Sequence, residues 1–214
     1  MIRQIRACLL SLPLLLTPLA PLAQESSPDV LVKGVTEDVL SILREDKALQ
    51  AGNRQKAMAL IEEKVSPHFD FPRMTSLAVG QGWRQADAGQ REALTVEFRT
   101  LLVRTYANAL TAYKDQTVSF KPTAGKTTEG DAMVRTQIKQ SGATPISVDY
   151  RLGKTGDSWK VYDVVIDNVS LVTNYRSSFA TEFSKGGADG LIKTLQEKNR
   201  GSGESRAPGK AGST

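Results

Sequence analysis

Hydrophobic positions follow three rhythms along the chain. From Ser27 to Tyr113 they recur every three or four residues, from Val118 to Ile166 mostly every second residue, and after Ser170 every three or four again. The first and last rhythms predict helices, and the middle one predicts strands.

The first helix is expected to start at Ser27-Pro28-Asp29, with serine as the cap, proline in the first turn and aspartate near the positive end. Val32, Val35, Val39, Ile42 and Leu43 form its apolar stripe, and Ala51-Gly52-Asn53 breaks it. A second helix is predicted over residues 54–68, with Met58, Ile61 and Val65 on one face and an end distorted by Pro67. A short element follows Phe71-Pro72 and stops at Gly80 and Gly82. Asp87-Ala88-Gly89-Gln90 reads as a capping box opening a long helix, whose stripe is Leu94, Phe98, Leu101, Leu102, Thr105, Ala109 and Leu110.

Period two then takes over. Val118 and Phe120 mark one strand, and Ala132, Val134, Thr136 and Ile138 mark the next. Ile146, Val148, Tyr150 and Leu152 mark the third, and residues 159–168 form the fourth. Turn-forming residues at 125–130, 142–145 and 154–157 make the links short, which implies an antiparallel meander. Val161, Val164, Val165 and Ile166 put apolar groups on both faces of the fourth strand, so it should be covered on both sides. In the last helical region Leu171, Val172, Tyr175, Phe179 and Phe183 recur at helical spacing. Gly186-Gly187 interrupts them, and Leu191, Ile192 and Leu195 resume. Helices, then four strands, then helices is an α+β order, with helices packed on a curved four-stranded antiparallel sheet.

Both ends differ from this middle. Residues 1–23 read as a secretion signal: Arg3 and Arg6, then an apolar run from Ala7 to Leu16, then cleavage near Ala23. Residues 24–198 are expected to form the domain, and residues 199–214, rich in Gly and Ser, a disordered polar tail. The single cysteine, Cys8, falls in the leader, so the mature chain would fold in an oxidising compartment without a disulfide. The net charge of +5 also belongs to the ends. Without Arg3 and Arg6 of the leader and the Arg200, Glu204, Arg206 and Lys210 of the tail, bases and acids nearly balance, and no nucleic-acid-binding face is indicated.

Catalytic chemistry finds little support. With one His and one Cys the chain lacks the ligand set of a structural zinc site, and no metal site is expected. It has no G-x-S-x-G, Walker or G-x-G-x-x-G motif. His68, between Pro67 and Phe69, reads as a capping or surface residue. Asp163 and Asp167 on one strand face, with Asp149 beside them, could serve a small cone-fold enzyme as general bases. The simpler reading pairs these acids with Arg135, Arg151 or Lys160. Inward-facing aromatic residues such as Trp83, Phe98, Tyr106 and Tyr150 fit a filled core as well as a hollow one.

Two stretches carry a resemblance. Residues 69–110 hold Phe69-Asp70-Phe71, Arg73-Met74, Gly80 followed by Trp83-Arg84, and the run Leu101 to Tyr106. Residues 159–183 hold Val161-Tyr162-Asp163 leading to Val169-Ser170-Leu171. With Gly187-Ala188-Asp189-Gly190-Leu191, these segments resemble the toluene-tolerance (MlaC) family of periplasmic phospholipid-binding proteins, in matching order from about residue 27 to residue 198.

The resemblance implies a nuclear-transport-factor-like cone enclosing an apolar cavity. It also implies a periplasmic shuttle that is not an enzyme, holding phospholipid as cargo and no cofactor. Such a monomer would carry lipid between an outer-membrane lipoprotein–porin complex and an inner-membrane ABC transporter with an MCE-domain subunit, maintaining outer-membrane lipid asymmetry. The alternatives are a periplasmic adaptor that binds no lipid, and the small enzyme using Asp163 and Asp167. If the cavity exists, the sheet should line it with Val134, Ile138, Val148, Tyr150, Val161, Val165 and Val169. The middle helices would add Trp83, Phe98, Leu102 and Tyr106, and the late helix Leu171, Val172, Tyr175 and Phe179. On the fourth strand, Val164 and Ile166 could take the place of Val161 and Val165.

Overall fold

Side-chain caps define where the helices begin. In the computed structural model, which describes residues 27–122 and 130–201, α1 (Pro28–Glu45) starts at Ser27, whose side chain accepts from the Val30 N–H. Asp46 accepts from the N–H groups of Ala48 and Leu49 and opens the single turn of α2 (Lys47–Gln50). Asn53 opens α3 (Arg54–Leu60) and Asp70 opens α4 (Phe71–Val79). Asp87 and Gln90 make both bonds of the expected capping box at the head of α5 (Ala88–Thr111). Each side chain satisfies N–H groups that the helix itself cannot.

The helix expected over 54–68 is α-helical only to Leu60. It loosens to a π turn over Ile61–Val65 and tightens to a 3-10 turn over Ser66–His68, where Pro67 removes an N–H.

The strands are β1 (Thr117–Lys121), β2 (Asp131–Lys139), β3 (Ile146–Thr155), β4 (Ser158–Ile166) and β5 (Val169–Ser170). They form one open antiparallel sheet in chain order, five strands rather than the four expected. The extra strand arises because β4 ends at Ile166. Asp167 and Asn168 take φ of 46° and 67°, the two-residue hairpin turn with both central residues left-handed, and Val169 returns to pair with Ile166. The rest of the β4 edge is taken by the chain entering α4: Phe69 bridges Val161, and the Asp70 N–H donates to the Val161 carbonyl at 2.8 Å.

The last helical element, α6, spans Leu171–Gly201 and breaks where expected. Gly187 has φ 62° and ψ −156°, a conformation open in practice only to glycine. It runs past the expected boundary at residue 198. Asn199 is buried, and its amide donates to the carbonyl and carboxylate of Glu97 on α5. The leader expected over 1–23, the rest of the tail, and residues 123–129, where most of the turn expected over 125–130 falls, lie outside the described residues.

Apolar burial is divided among three groups. One joins α4, α5 and α6 through Phe71, Met74, Leu94, Phe98, Leu102, Val172, Phe179 and Leu191. A second joins α1 to the sheet through Val32, Val134, Val148, Leu152, Val161 and Val164. A third joins α1, α2, α3 and α5 around Leu43, Leu49, Ala57 and Ala107.

Candidate functional site

Cross-strand partners in an antiparallel ladder share a face, so register assigns each sheet residue a side. Val134 pairs with Tyr150 and Tyr150 with Val164. Thr136 pairs with Val148 and Val148 with Ile166. Ile138 pairs with Ile146, and Leu152 with Val161. These side chains form one apolar face, which meets Val32 and Leu31 of α1.

A bulge sets the face of β4. Leu152 opposes Val161 while Arg151 opposes Asp163, leaving Tyr162 as the extra residue. Val161, Val164 and Ile166 therefore point to the inner face. Val165 lies on the other face, opposite Asp149 and Ser170, away from Val134, Val148 and Val161 with which the sequence grouped it.

The inner face is apolar but not fully covered. Val134 and Leu152 are inaccessible, yet Phe120, Ile138, Tyr150, Trp159 and Ile166 around them are only partly buried. Toward the Asp167-Asn168 turn the coverage ends: Ile146 is 43% exposed and Val169 is 55% exposed. The helices meet the sheet mainly near its margins, α1 against β2 and α4 and α6 against β4, while α5 packs on other helices instead.

The remaining expected residues fall into the helical layer. Phe98 sits edge-on to both Tyr175 and Phe179, with ring centres 5.1 Å away in each case. Leu102, Tyr106 and Val172 join that cluster, while Leu171 turns to the sheet cluster. Trp83 lies in the turn after α4, where the Arg91 guanidinium stacks over it at 5.6 Å, and it packs only on the helical group. Burial raises the phenols of Tyr106, Tyr150 and Tyr175 above the ordinary tyrosine value. Leu152 and Ile146 keep the β3 alternation and lie on this apolar face, although neither was among the expected residues. Val32 was not expected there either, since its helical spacing gave no hint that α1 covers the sheet.

The acidic residues have structural partners. Asp163, 2% exposed, accepts from Arg151 at 3.2 Å, from the Ser170 hydroxyl at 2.7 Å and from the Val172 N–H at 3.2 Å, tying β3 and β4 to the head of α6. Asp149 pairs with Arg135 at 3.8 Å, and Asp167 accepts from the Ser147 N–H at 2.9 Å. Desolvation and then the Lys160 charge lower the His68 pKa below the ordinary histidine value. A separate surface groove of about 520 Å³ lies between the Gly80–Arg84 turn and α6, lined by Gln81, Gln85, Arg176 and Phe183 among others, and contains none of the expected lining residues.

Comparison with known proteins adds identity to this geometry. The family model described as MlaC protein matches residues 33–197. The intermembrane phospholipid transport system binding protein MlaC of Haemophilus influenzae is 25% identical over 176 residues, covering 81% of this chain and 82% of that protein. The toluene tolerance protein ttg2D of Pseudomonas putida is 27% identical over 180 residues, covering 83% and 82%. A phospholipid-binding protein of Ralstonia solanacearum, solved in complex with a phospholipid, is 37% identical with a TM-score of 0.77, covering 82% of this chain and 98% of that one.

Proposed function

The chain belongs to the MlaC protein family, and from that premise we propose that it binds phospholipid and carries it between membranes. The observation that carries the reading is the half-covered inner face of the sheet. Val134, Val148, Val161 and Val164 are buried, while their neighbours Ile138, Tyr150 and Ile166 keep accessible surface under a helical layer that grips the sheet near its margins. Acyl chains would complete that face, in a hollow between sheet and helices, with the headgroup toward the exposed Ile146 and Val169 end.

The energetics favour such a carrier. Each methylene moved out of water is worth about 0.8 kcal/mol, so a sixteen-carbon chain left in water costs roughly 12 kcal/mol. Escape from a bilayer is therefore slow without an apolar receptor, and the receptor needs shape and apolarity more than a reactive group. The partners of Asp163, which cap α6 and bridge strands, support a structural role for that residue over a catalytic one.

The leader-like residues 1–23 support a periplasmic location. There the chain would shuttle lipid between an outer-membrane lipoprotein–porin complex and an inner-membrane ABC transporter with an MCE-domain subunit, preserving outer-membrane lipid asymmetry. The test is mass spectrometry of an organic extract from protein secreted and purified without detergent. Near-stoichiometric phospholipid is expected. Folded protein that carries no lipid and takes none from vesicles would overturn the reading in favour of a lipid-free adaptor.

A further inference from the structure

The inner face of the sheet is open at one end and sealed toward the other. Ile146 and Val169 are exposed, and Ile166 is half-buried. Val148 and Val164 are buried, and Leu152 and Val161 are 0% and 3% exposed. Leu152 and Val161 are cross-strand partners, so β3 and β4 reach full cover at the same level. A hollow along this face is therefore blind, with its floor near Val161.

One ring stands at that level. Phe69, in the chain entering α4, forms a parallel bridge with Val161. Paired residues of neighbouring strands point to the same side, which puts the Phe69 side chain on the inner face. Among the described residues it is the one apolar side chain that packs on both the α4–α5–α6 group and the sheet group. The helical layer and the sheet thus close on each other at Phe69. The ring keeps some accessible surface, and it stacks at 5.8 Å on Phe71, which packs in the helical group alone.

The distance from this ring to the open end is a recognisable length. From Val161 to Ile166 β4 makes five steps, which at 3.3–3.4 Å each is about 17 Å. A bilayer core about 30 Å thick holds two chains end to end, or about 15 Å for each.

We propose that Phe69 closes the floor of the hollow and sets the longest acyl chain the protein accepts. The inference rests on the carrier reading above, and it makes the preferred cargo a phospholipid with chains of ordinary bilayer length. A chain that fits exchanges one apolar surrounding for another. A longer one leaves its surplus methylenes in water, and each of these corresponds to about a fourfold loss of uptake.

The experiment equilibrates the mature protein with fluid vesicles holding trace, equal amounts of saturated phosphatidylglycerols with chains of fourteen to twenty-two carbons. The extracted lipids are then read by mass spectrometry. The wild type should take all lengths evenly up to a limit at sixteen to eighteen carbons, and lose about fifteenfold over the next two methylenes of a chain. Phe69→Leu should move the limit to longer chains and Phe69→Trp to shorter ones, opposite shifts that a loosened fold does not produce. Either shift suffices where the other variant does not fold. Phe71→Leu, one ring further into the helical group, should leave the limit in place. An even profile across all lengths in the wild type overturns the inference while leaving the carrier reading intact. So does a limit that no folded Phe69 variant moves, or one that Phe71→Leu moves as far as Phe69→Leu. Uptake of no length by folded wild type overturns the carrier reading itself.

Discussion

Gly153→Ala tests how the helical layer is fastened to the sheet. Gly153 is buried in β3, and a methyl group there would stand 2.1 Å from Arg73 Nη1 and 3.5 Å from Tyr162 Cδ1. Its φ is not among the left-handed values, so the strand can accept alanine and the arginine must move. The cost is then what Arg73 loses. Its guanidinium carbon lies 3.6 Å from the centre of the Tyr162 ring, and Nη2 lies 3.0 Å from Asp131 Oδ1. With side chains 39% and 46% exposed, the ion pair is worth up to about 1 kcal/mol, and the stacking about 0.5–1 kcal/mol. Replacing glycine returns about 0.4–1 kcal/mol by restricting the unfolded chain. Gly153→Ala should therefore lower stability by about 1 kcal/mol or less. In an Arg73→Ala background the same substitution should stabilise by about 0.5 kcal/mol. Urea unfolding of the four proteins, at constant m, reads the coupling directly. Equal costs with and without Arg73 would refute the reasoning and place the clash in the strand.

Gly82→Ala should cost more, about 1–3 kcal/mol by urea unfolding. The new methyl would sit 2.8–2.9 Å from Cδ2, Cε2 and Cγ of Phe183, a packed ring that cannot swing away like an arginine tip, and a cost below that of Gly153→Ala would contradict this. Asp163→Ala should cost about 2–4 kcal/mol, because Arg151, Ser170 and the Val172 N–H lose their acceptor together. Asp163→Asn should cost less, since an amide oxygen can still accept, and equal losses would argue against the cap. Ile166→Glu, half-buried on the inner face opposite Val148, should abolish lipid carriage in a protein that still folds, while Val165→Glu, on the opposite face beside Asp149, should keep its lipid. Extracted lipid from secreted variants decides, and loss from both would put Val165 in the site. Lys56, then the N–H groups of Leu49 and Ala48, hold the Asp46 carboxyl below its ordinary value. Its contribution is thus present above that value and lost as pH falls through the depressed one. A carboxyl-carbon NMR titration should show the midpoint rise in Lys56→Met, and an unmoved midpoint would remove Lys56 as the cause.

Local chemistry was legible where one short segment decides it. The capping box at Asp87 and Gln90, the cap at Ser27, the break at Gly186-Gly187 and the antiparallel meander all follow from residues within one or two turns of each other. The face of β4 was not legible. A run with Val161, Val164, Val165 and Ile166 fits either alternation, and the bulge at Tyr162 that selects one depends on distant partners. Asp163 must reach the head of α6, Val161 must bond Asp70, and Tyr162 must lie under Arg73. The short β5 and the continuation of α6 to Gly201 escaped for a similar reason. The first needs the Asp167-Asn168 turn to reverse the chain, and the second needs Glu97 on another helix to hold Asn199.

These long-range contacts also bear on how a half-covered apolar face can persist. Two apolar layers with the proposed hollow between them would collapse unless something held them apart, because closing the hollow removes surface from water. Here the fastenings are polar and lie at the border of the face. Asp70 and Arg73 hold α4 to β4 and to Asp131 of β2, and Asp163 fixes the first turn of α6 against β3 and β4. They fix where the helices enter relative to the sheet, and α5, the longest unbroken helix, rests on α3, α4 and α6 instead of on the strands. A layer suspended in this way can meet a guest of variable shape without repacking its own core. On this argument the Arg73 clasp and the Asp163 hub should affect lipid retention as well as stability. Arg73→Ala protein that remains folded should therefore exchange its lipid with vesicles faster than the wild type, and an unchanged exchange rate would mean that the spacing is set elsewhere.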